Sequence, residues 1–168
     1  MVKNGLYVVM GVAGSGKSLI GAALAHALDV NFVEGDDFHT AENVTKMSAG
    51  IPLTDEDRAG WLRALASRLR YASDAGAGVV MACSALKRSY RDVLRGGAPD
   101  VQFIYLEGSR RLIGERLARR GGHYMRASML DSQLAILEEP TPDEHAWVCD
   151  VALPPQRIVD DIVARASA

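Results

Sequence analysis

Short apolar runs alternate along the chain with stretches in which apolar residues recur at helical spacing. The apolar runs predict five short strands, at residues 6–10, 31–33, 79–83, 102–106 and 146–151. The helical spacing predicts helices at residues 17–28, 41–48, 87–95, 110–120 and 128–137, and two more that begin near Thr54 and Pro154. Because a strand that is apolar throughout is buried on both faces, this alternation predicts an α/β fold, with a parallel five-stranded sheet and helices on both of its faces.

The length and charge of the chain indicate one globular domain. Its 168 residues correspond to about one domain, which we expect to span residues 1–168. The net charge of −2 gives no reason to expect a general affinity for nucleic acids or anionic membranes. No apolar run approaches the roughly 18 residues that a membrane-spanning helix needs. A glycine-rich loop cuts short the apolar run that follows Lys3, so a secretion signal is not expected either.

The two cysteines suggest a reducing compartment. Cys83 and Cys149 lie in apolar surroundings and do not have the spacing of a metal site. Two such cysteines in a chain of this length do not form a disulfide framework, so we expect a cytoplasmic protein.

A phosphate-binding loop is the first motif that carries chemistry. Residues 11–18 read Gly-Val-Ala-Gly-Ser-Gly-Lys-Ser and match the pattern G-x-x-x-x-G-K-[ST], between a predicted strand and a predicted helix. Glycines let successive N–H groups face a phosphate, and the helix N-terminus adds its positive end. Lys17 is expected to reach the β- and γ-phosphates, and Ser18 to bind Mg²⁺. The alternative is a glycine-rich turn with a solvated lysine. The residues expected to contact the nucleotide phosphates are Gly11, Ala13, Gly14, Ser15, Gly16, Lys17, Ser18 and Leu19.

An acidic segment follows the second predicted strand, with the sequence Glu-Gly-Asp-Asp-Phe-His at residues 34–39. Ligands of open parallel sheets bind at the carboxyl ends of the strands, so Asp36 is expected beside the phosphate loop. A carboxylate there can hold Mg²⁺ through a water molecule, or accept a proton from an attacking hydroxyl. The alternative is a solvated acidic turn, which we favour for Asp37 and not for Asp36.

This segment opens an ordered set of short motifs that extends almost to residue 140. The set comprises Gly35-Asp36-Asp37-Phe38-His39, Asn43, Lys46-Met47, Gly50, Pro52-Leu53, Asp55, Asp57-Arg58, Trp61-Leu62, Cys83-Ser84-Ala85-Leu86-Lys87, Tyr90-Arg91, Arg120, His123-Tyr124, Met129-Leu130, Ser132-Gln133, Leu137-Glu138 and Pro140. Together with the phosphate loop, the set closely resembles the gluconate kinase family over nearly the whole chain. Each motif is weak alone, but their order is specific. Thr40 and Gly60 stand where the family usually has proline, which is a local backbone difference.

The resemblance implies ATP-dependent phosphorylation of D-gluconate on its terminal hydroxyl, giving 6-phosphogluconate by direct in-line transfer. It implies a single-domain P-loop kinase with a mobile lid, ATP and Mg²⁺ as cofactors, gluconate as the small-molecule partner, and a homodimer. Nucleic acid and membrane are not expected as partners. Asp37 fills a position that varies in the family, so Asp36 is the preferred base, although the residues alone leave the choice between the two open.

A basic segment provides the expected lid, at about residues 115–126. Residues 110–126 contain six arginines against one glutamate, and Gly121-Gly122 beside Arg120 indicates a hinge. Closure of such a lid brings an arginine onto the transferring phosphoryl group and excludes water. Arg120 fits the family pattern and joins Lys17 and Asp36 as an expected catalytic residue, with Arg116 and Arg119 as alternatives. An RNA-binding arm is disfavoured because only Tyr124 supplies a stacking aromatic.

Gluconate has a carboxylate and five hydroxyls, so its site needs a cation and several hydrogen-bonding groups. By resemblance, the expected substrate ligands are Asp36, His39, Arg58, Lys87, Arg91 and His123. Arg91 is equally well interpreted as a charge on a helix surface. The alternative for His39 and His123 is a structural role, and His123 beside the hinge is the better candidate for a ligand. The third predicted strand does not end in a metal-binding aspartate, so we expect Ser18 to bind Mg²⁺, with Asp36 acting through water. Trp61 is interpreted as a packing residue.

Two other functions compete with this interpretation. One is another kinase of the same fold, acting on shikimate or a nucleoside monophosphate, but residues 36–61 resemble neither. The other is a nucleotide-dependent binding module without catalysis, which the joint presence of Lys17, Ser18, Asp36 and Arg120 disfavours.

Overall fold

The computed structural model describes residues 5–120 and 124–168, and for residues 124–126 it describes the backbone alone. The described residues form one five-stranded sheet in the order β2-β3-β1-β4-β5, in which every neighbouring pair is parallel. The strands are β1 (Leu6–Met10), β2 (Asn31–Glu34), β3 (Val79–Ala82), β4 (Gln102–Glu107) and β5 (Trp147–Asp150). The predicted α/β fold class and the five parallel strands are confirmed.

Helices connect the strands, as parallel pairing requires. They are α1 (Lys17–Leu28), α2 (Ala41–Ser48), α3 (Asp55–Asp74), α4 (Arg88–Gly97), α5 (Arg110–Arg119), α6 (Tyr124–Ile136) and α7 (Pro155–Ala166). Short 3₁₀ turns lie at Gly35–Phe38 and Pro142–Glu144. The largest departure from the predicted bounds is α6, which begins at Tyr124. Ser128 looks like the first residue of a helix in the sequence but lies inside α6, where its carbonyl accepts a hydrogen bond from Ser132 Oγ at 3.0 Å.

The middle of the sheet forms the core. All five residues of β1 and all four of β3 are buried, because helices cover the sheet on both sides. Helix α1 packs against α7, and α3 packs against α4. No helix in the described part of the chain is long and apolar enough to cross a membrane.

Helix α3 begins with a capping box, which the spacing of Thr54 and Asp57 in the sequence predicts. The Thr54 hydroxyl accepts from Asp57 N at 3.1 Å, and Asp57 Oδ2 accepts from Thr54 N at 3.0 Å. The bond from Thr54 N to the carboxylate, with one from Lys46, holds the pKa of Asp57 at about 2. This cap fixes the start of the helix that carries Arg58 and Trp61.

Helices α3 and α4 approach each other closely at Gly97. An ideal Cβ on Gly97 would lie 2.2 Å from the carbonyl oxygen of Ala66 in α3, so the contact leaves no space for a side chain. The neighbouring Gly96 faces open space. The two adjacent glycines therefore differ only in whether a methyl group fits.

We expect Gly97→Ala to lower the free energy of unfolding by about 1–3 kcal/mol, because backbone must move to admit the methyl group. Gly96→Ala is the matched control and is expected to leave stability unchanged or raise it by up to about 1 kcal/mol, since alanine favours the helix. Urea denaturation of both variants measures the difference. Equal stability of the two variants would contradict the close approach of α3 and α4.

A buried ion pair ties α4 to the segment before β5. The side chains of Arg91 and Glu144 are fully buried, with Arg91 Nε 2.7 Å from Glu144 Oε1. Arg95 Nη2 donates to the same oxygen at 2.6 Å. Burial raises the pKa of Glu144, but the hydrogen bonds from the two arginines outweigh it and bring the pKa to about 2. The carboxylate therefore stays ionised in the folded protein.

Replacing Glu144 by glutamine is expected to cost on the order of 3 kcal/mol of stability at pH 7, because Arg91 then stays buried without a counter-charge. The folded-state pKa lies below that of the unfolded chain, so the carboxylate stabilises the fold above about pH 5, and this contribution fades as the pH falls towards 2. The stability difference between wild type and Glu144→Gln, measured by denaturation from pH 7 to 2.5, should therefore shrink with acidity.

Asp143→Asn is the control for this experiment. Asp143 pairs with Arg88 at 2.6 Å, but both side chains are largely exposed, so its loss is expected to cost less than about 1 kcal/mol. A difference between wild type and Glu144→Gln that does not change with pH would contradict the assignment of Glu144 as a buried ionised group.

Candidate active site

The phosphate loop lies between β1 and α1 at the carboxyl edge of the sheet. Gly14 and Gly16 have φ angles of 80° and 96°, a left-handed conformation that glycine adopts without strain. Gly11 N donates to the Ser84 carbonyl at 3.3 Å, which joins the loop to the segment that follows β3. Helix α1 then begins at Lys17, so its N-terminus faces the loop.

A cavity of about 320 Å³ opens beside this loop. Six of the eight predicted phosphate contacts line it, namely Ala13, Gly14, Gly16, Lys17, Ser18 and Leu19. Gly11 and Ser15 are buried and are not part of its wall. The remaining wall comes from the segment after β2, the start of α3, Ser84, Arg120 and α6. Predicted phosphate contacts and the predicted acceptor ligands Asp36, His39 and Arg58 therefore line one continuous space.

Lys17 lies at the charged centre of this cavity. Its Nζ donates to the Val12 carbonyl at 3.1 Å. Burial lowers the pKa of Lys17, and Arg120 also lowers it, whereas Asp36 and Glu34 act in the opposite direction. Arg120, Asp36 and Glu34 are thus all close enough to Lys17 to influence its pKa. A phosphate among them would favour the charged form of Lys17.

Ser18 forms a contact that the sequence analysis did not assign. Its hydroxyl donates to Glu34 Oε2 in a short hydrogen bond. Glu34 is the last residue of β2, and its other oxygen lies 3.5 Å from Asp36 N. A hydroxyl and carboxylates are the hard oxygen ligands that suit Mg²⁺. The signal was present in the sequence, because Glu34 occupies the same strand end as Asp36.

The 3₁₀ turn at Gly35–Phe38 carries Asp36 into the cavity wall, whereas Asp37 does not line the cavity. One hydrogen bond and one close approach of two backbone segments fix this turn. Trp61 Nε1 donates to the Gly35 carbonyl at 2.8 Å, and an ideal Cβ on Gly35 would meet the Ala82 carbonyl at 2.3 Å. Trp61 is buried, as its interpretation as a packing residue requires, but it also lines the cavity and holds the Asp36 turn.

His39 lines the cavity and stacks on Trp61, with ring centroids 4.1 Å apart. The buried Asn43 side chain lies with Nδ2 3.3 Å from His39 Nδ1 and donates to the Asp57 carbonyl at 2.8 Å. Burial lowers the pKa of His39, and Arg58 lowers it further, against the influence of Asp36. The ring is thus fixed from two sides.

Arg58 lines the cavity, and two hydrogen bonds hold its guanidinium in place. Its Nη1 donates to the Leu53 carbonyl at 2.6 Å and to Tyr90 Oη at 3.2 Å. Tyr90 Oη donates to Asp55, which also accepts from Lys87 Nζ at 3.0 Å. Lys87 therefore belongs to the network that supports Arg58 and does not itself line the cavity.

Arg91 does not have the place that the substrate-ligand prediction requires. Its guanidinium is completely buried and absent from the cavity wall. Besides Glu144, it donates to the carbonyl of Ala85 at 2.8 Å and that of Leu86 at 3.3 Å. We therefore interpret Arg91 as a residue that holds the loop between β3 and α4. It is neither a substrate ligand nor a surface charge, because all its donors face inward.

The basic segment is only partly described. Arg120 follows the last residue of α5 and lines the cavity, and it is near enough to Lys17 to lower the pKa of that lysine. Arg116 donates to the Val151 carbonyl at 2.6 Å. The predicted hinge Gly121-Gly122 and the predicted ligand His123 lie outside the described residues, so the lid stays a prediction.

Helix α6 supplies one wall of the cavity. In the sequence, its residues stand out only as part of the family resemblance. Met129, Ser132, Gln133 and Ile136 line the cavity. Gln133 Oε1 accepts from Ala13 N of the phosphate loop at 2.6 Å. No local pattern shows this contact, because it joins positions 120 residues apart.

Comparisons with known proteins show what this chain is similar to. Residues 6–140 match a family model described as an AAA domain. The chain is 48% identical to the thermosensitive gluconokinase of Escherichia coli, covering 82% of this chain and 74% of that protein. It is 50% identical to the gluconokinase of Gluconobacter oxydans, covering 85% and 80%.

A solved structure extends the agreement to three dimensions. The crystal structure of a gluconokinase from Sinorhizobium meliloti superposes with a TM-score of 0.89 at 47% identity, covering 98% of this chain and 92% of that one. A phosphate loop, an adjoining acidic turn and high identity over most of the length coincide in one chain. It therefore belongs to the gluconokinase family, as the ordered motifs of its sequence predicted.

Proposed function

We propose that this protein phosphorylates the terminal hydroxyl of D-gluconate with ATP, giving 6-phosphogluconate and ADP. One observation carries the proposal beyond the names of its relatives. A single cavity joins a phosphate loop, with Lys17 and Ser18, to a polar wall that contains Asp36, His39 and Arg58. A donor nucleotide and a small anionic acceptor can therefore meet there with the reacting groups adjacent.

In this proposal the loop amides and Lys17 hold the ATP phosphates. The terminal hydroxyl oxygen of gluconate attacks the γ-phosphorus as the bond to the β-phosphate oxygen breaks, and ADP leaves in line. Asp36 orients this hydroxyl and takes its proton. Its position on a turn fixed by Trp61 and Gly35 supports this role. Arg120 stabilises the charge on the transferring group.

Ser18, together with the carboxylates of Glu34 and Asp36, would hold Mg²⁺. The hydroxyl–carboxylate pair of Ser18 and Glu34 suits that ion. The described residues contain no cluster of three or more acidic, histidine or cysteine side chains for a metal, so phosphate oxygens and water would complete the coordination. Bound Mg²⁺ supplies charge neutralisation for the phosphates.

The acceptor end is assigned to Arg58 and His39. Arg58 provides the cation for the gluconate carboxylate, because its guanidinium lies in the wall while Leu53 and Tyr90 hold it. His39 supplies a ring nitrogen for a hydroxyl. Lys87 acts through Asp55 and Tyr90 by holding Arg58 in place. His123 stays a predicted ligand on the basis of the family resemblance.

A cytoplasmic location and a homodimer are the remaining parts of the proposal. Both described cysteines are free and buried, which favours a reducing compartment. The homodimer rests on the family resemblance alone.

The first test offers D-gluconate, shikimate and AMP separately with Mg·ATP and measures ADP release. Turnover is expected with gluconate and not with the other two, because Arg58 and the polar wall match a sugar acid. Lys17→Ala is the control for background ATPase and is expected to lose turnover by orders of magnitude. Turnover with shikimate or AMP in place of gluconate would refute the proposed substrate and leave the kinase fold intact.

Replacing Asp36 by asparagine is expected to lower kcat by roughly 10²–10⁴, the range typical for loss of a general base, while ATP still binds. Asp37→Asn is the matched control, because Asp37 is adjacent in sequence and does not line the cavity. Steady-state kinetics and nucleotide titration of both variants separate chemistry from binding. A larger loss of kcat in Asp37→Asn would reassign the base.

A further inference from the structure

A single glutamine side chain connects α6 to the phosphate loop. Gln133 Oε1 accepts from Ala13 N at 2.6 Å. A backbone N–H can only donate, so the side-chain atom facing Ala13 must be the oxygen. The orientation of the Gln133 amide is therefore fixed, and its NH₂ group lies on the other side of the amide carbon.

The NH₂ group of Gln133 remains available to a ligand. Gln133 lines the cavity, and no hydrogen bond from its Nε2 exists among the described residues. An amide nitrogen carries two donors. Because the hydrogen bond from Ala13 N already fixes the amide, its NH₂ group loses little conformational freedom when a ligand binds. This favours specific recognition.

Among the α6 residues whose side chains the structure describes, the other cavity-lining ones offer no comparable donor. Met129 and Ile136 are apolar, and the Ser132 hydroxyl donates to the Ser128 carbonyl within the helix at 3.0 Å. The other described polar groups assigned to the acceptor are Asp36, His39 and Arg58, which come from the turn after β2 and from α3. A polyhydroxy acid presents hydroxyls in more than one direction, so Gln133 would meet those that face α6.

We propose that Gln133 is a specificity-determining residue that donates a hydrogen bond to the C5 hydroxyl of gluconate, next to the hydroxyl that is phosphorylated. This inference rests on the proposed function. The carboxylate is assigned to Arg58, so the opposite end of the acceptor lies towards the phosphate loop. Gln133 is bonded to that loop, so its donors lie beside the reacting end of the acceptor and not beside its carboxylate.

The test is a cycle between two enzymes and two substrates. Wild type and Gln133→Met are assayed for kcat/KM with D-gluconate and with 5-deoxy-D-gluconate, which lacks the C5 hydroxyl. Methionine keeps the length of the side chain but cannot donate. Gln102→Met is the matched control, because Gln102 begins β4 at the amino edge of the sheet and its side chain donates to the carbonyls of Phe103 and His145, away from the cavity.

Wild type and Gln102→Met are expected to prefer gluconate over the deoxy analogue by about tenfold or more, since one hydrogen bond is worth about that factor. In Gln133→Met this ratio is expected to fall towards one. Any general damage to the phosphate loop slows both substrates alike and cancels in the ratio. If the methionine variant folds poorly, Gln133→Ala provides a second measurement of the ratio. Titration with ADP shows whether the phosphate loop is formed in each variant.

Equal losses on both substrates in the Gln133 variants would overturn the inference and leave a purely structural role for the contact with Ala13. That result would leave the proposed function untouched, because wild type would still turn over gluconate. Failure of wild type to turn over gluconate would instead refute the proposed function and this inference with it.

Discussion

The parallel pairing of β1 with both β3 and β4 is the constraint on which the site depends. The register places Val9 opposite Ala82 and opposite Ile104, and the segments that follow β1 and β3 leave the sheet within one residue of the same level. The phosphate loop can therefore donate from Gly11 N to the Ser84 carbonyl. Strand β2 pairs with β3 in the same direction and brings the Asp36 turn to the same edge. Any change of register would separate the phosphates from the acceptor.

Buried or partly buried polar contacts then fix three loops along this edge. The Trp61 indole holds the Gly35 carbonyl, the Arg91 guanidinium holds the carbonyls of Ala85 and Leu86, and the Gln133 amide holds Ala13 N. Each of these side chains comes from a helix, and each contact satisfies a backbone group that would be costly to bury alone. The loops that surround the cavity are therefore positioned by rigid elements.

Much of the fold could be predicted because its signals are local. Apolar runs and helical spacing gave every strand and helix, and the Thr54–Asp57 spacing gave the cap of α3. The predicted bounds differ most at the start of α6, which was expected at Ser128 and lies at Tyr124. The phosphate loop and the position of Asp36 could also be predicted, since the carboxyl ends of the strands in a parallel sheet share one edge.

The sequence by itself determined the α/β fold, the phosphate loop, the acidic turn and, through its ordered motifs, the family. Only the tertiary structure decided what the other polar residues do. It placed Arg91 in a buried ion pair with Glu144 and Lys87 in the network that supports Arg58. It also showed that Glu34 accepts a hydrogen bond from the Ser18 hydroxyl. It also joined Gln133 to Ala13. The physical reason is that a side chain's role depends on its burial and its partner, and partners 16 to 120 residues apart leave no periodic signal in the sequence.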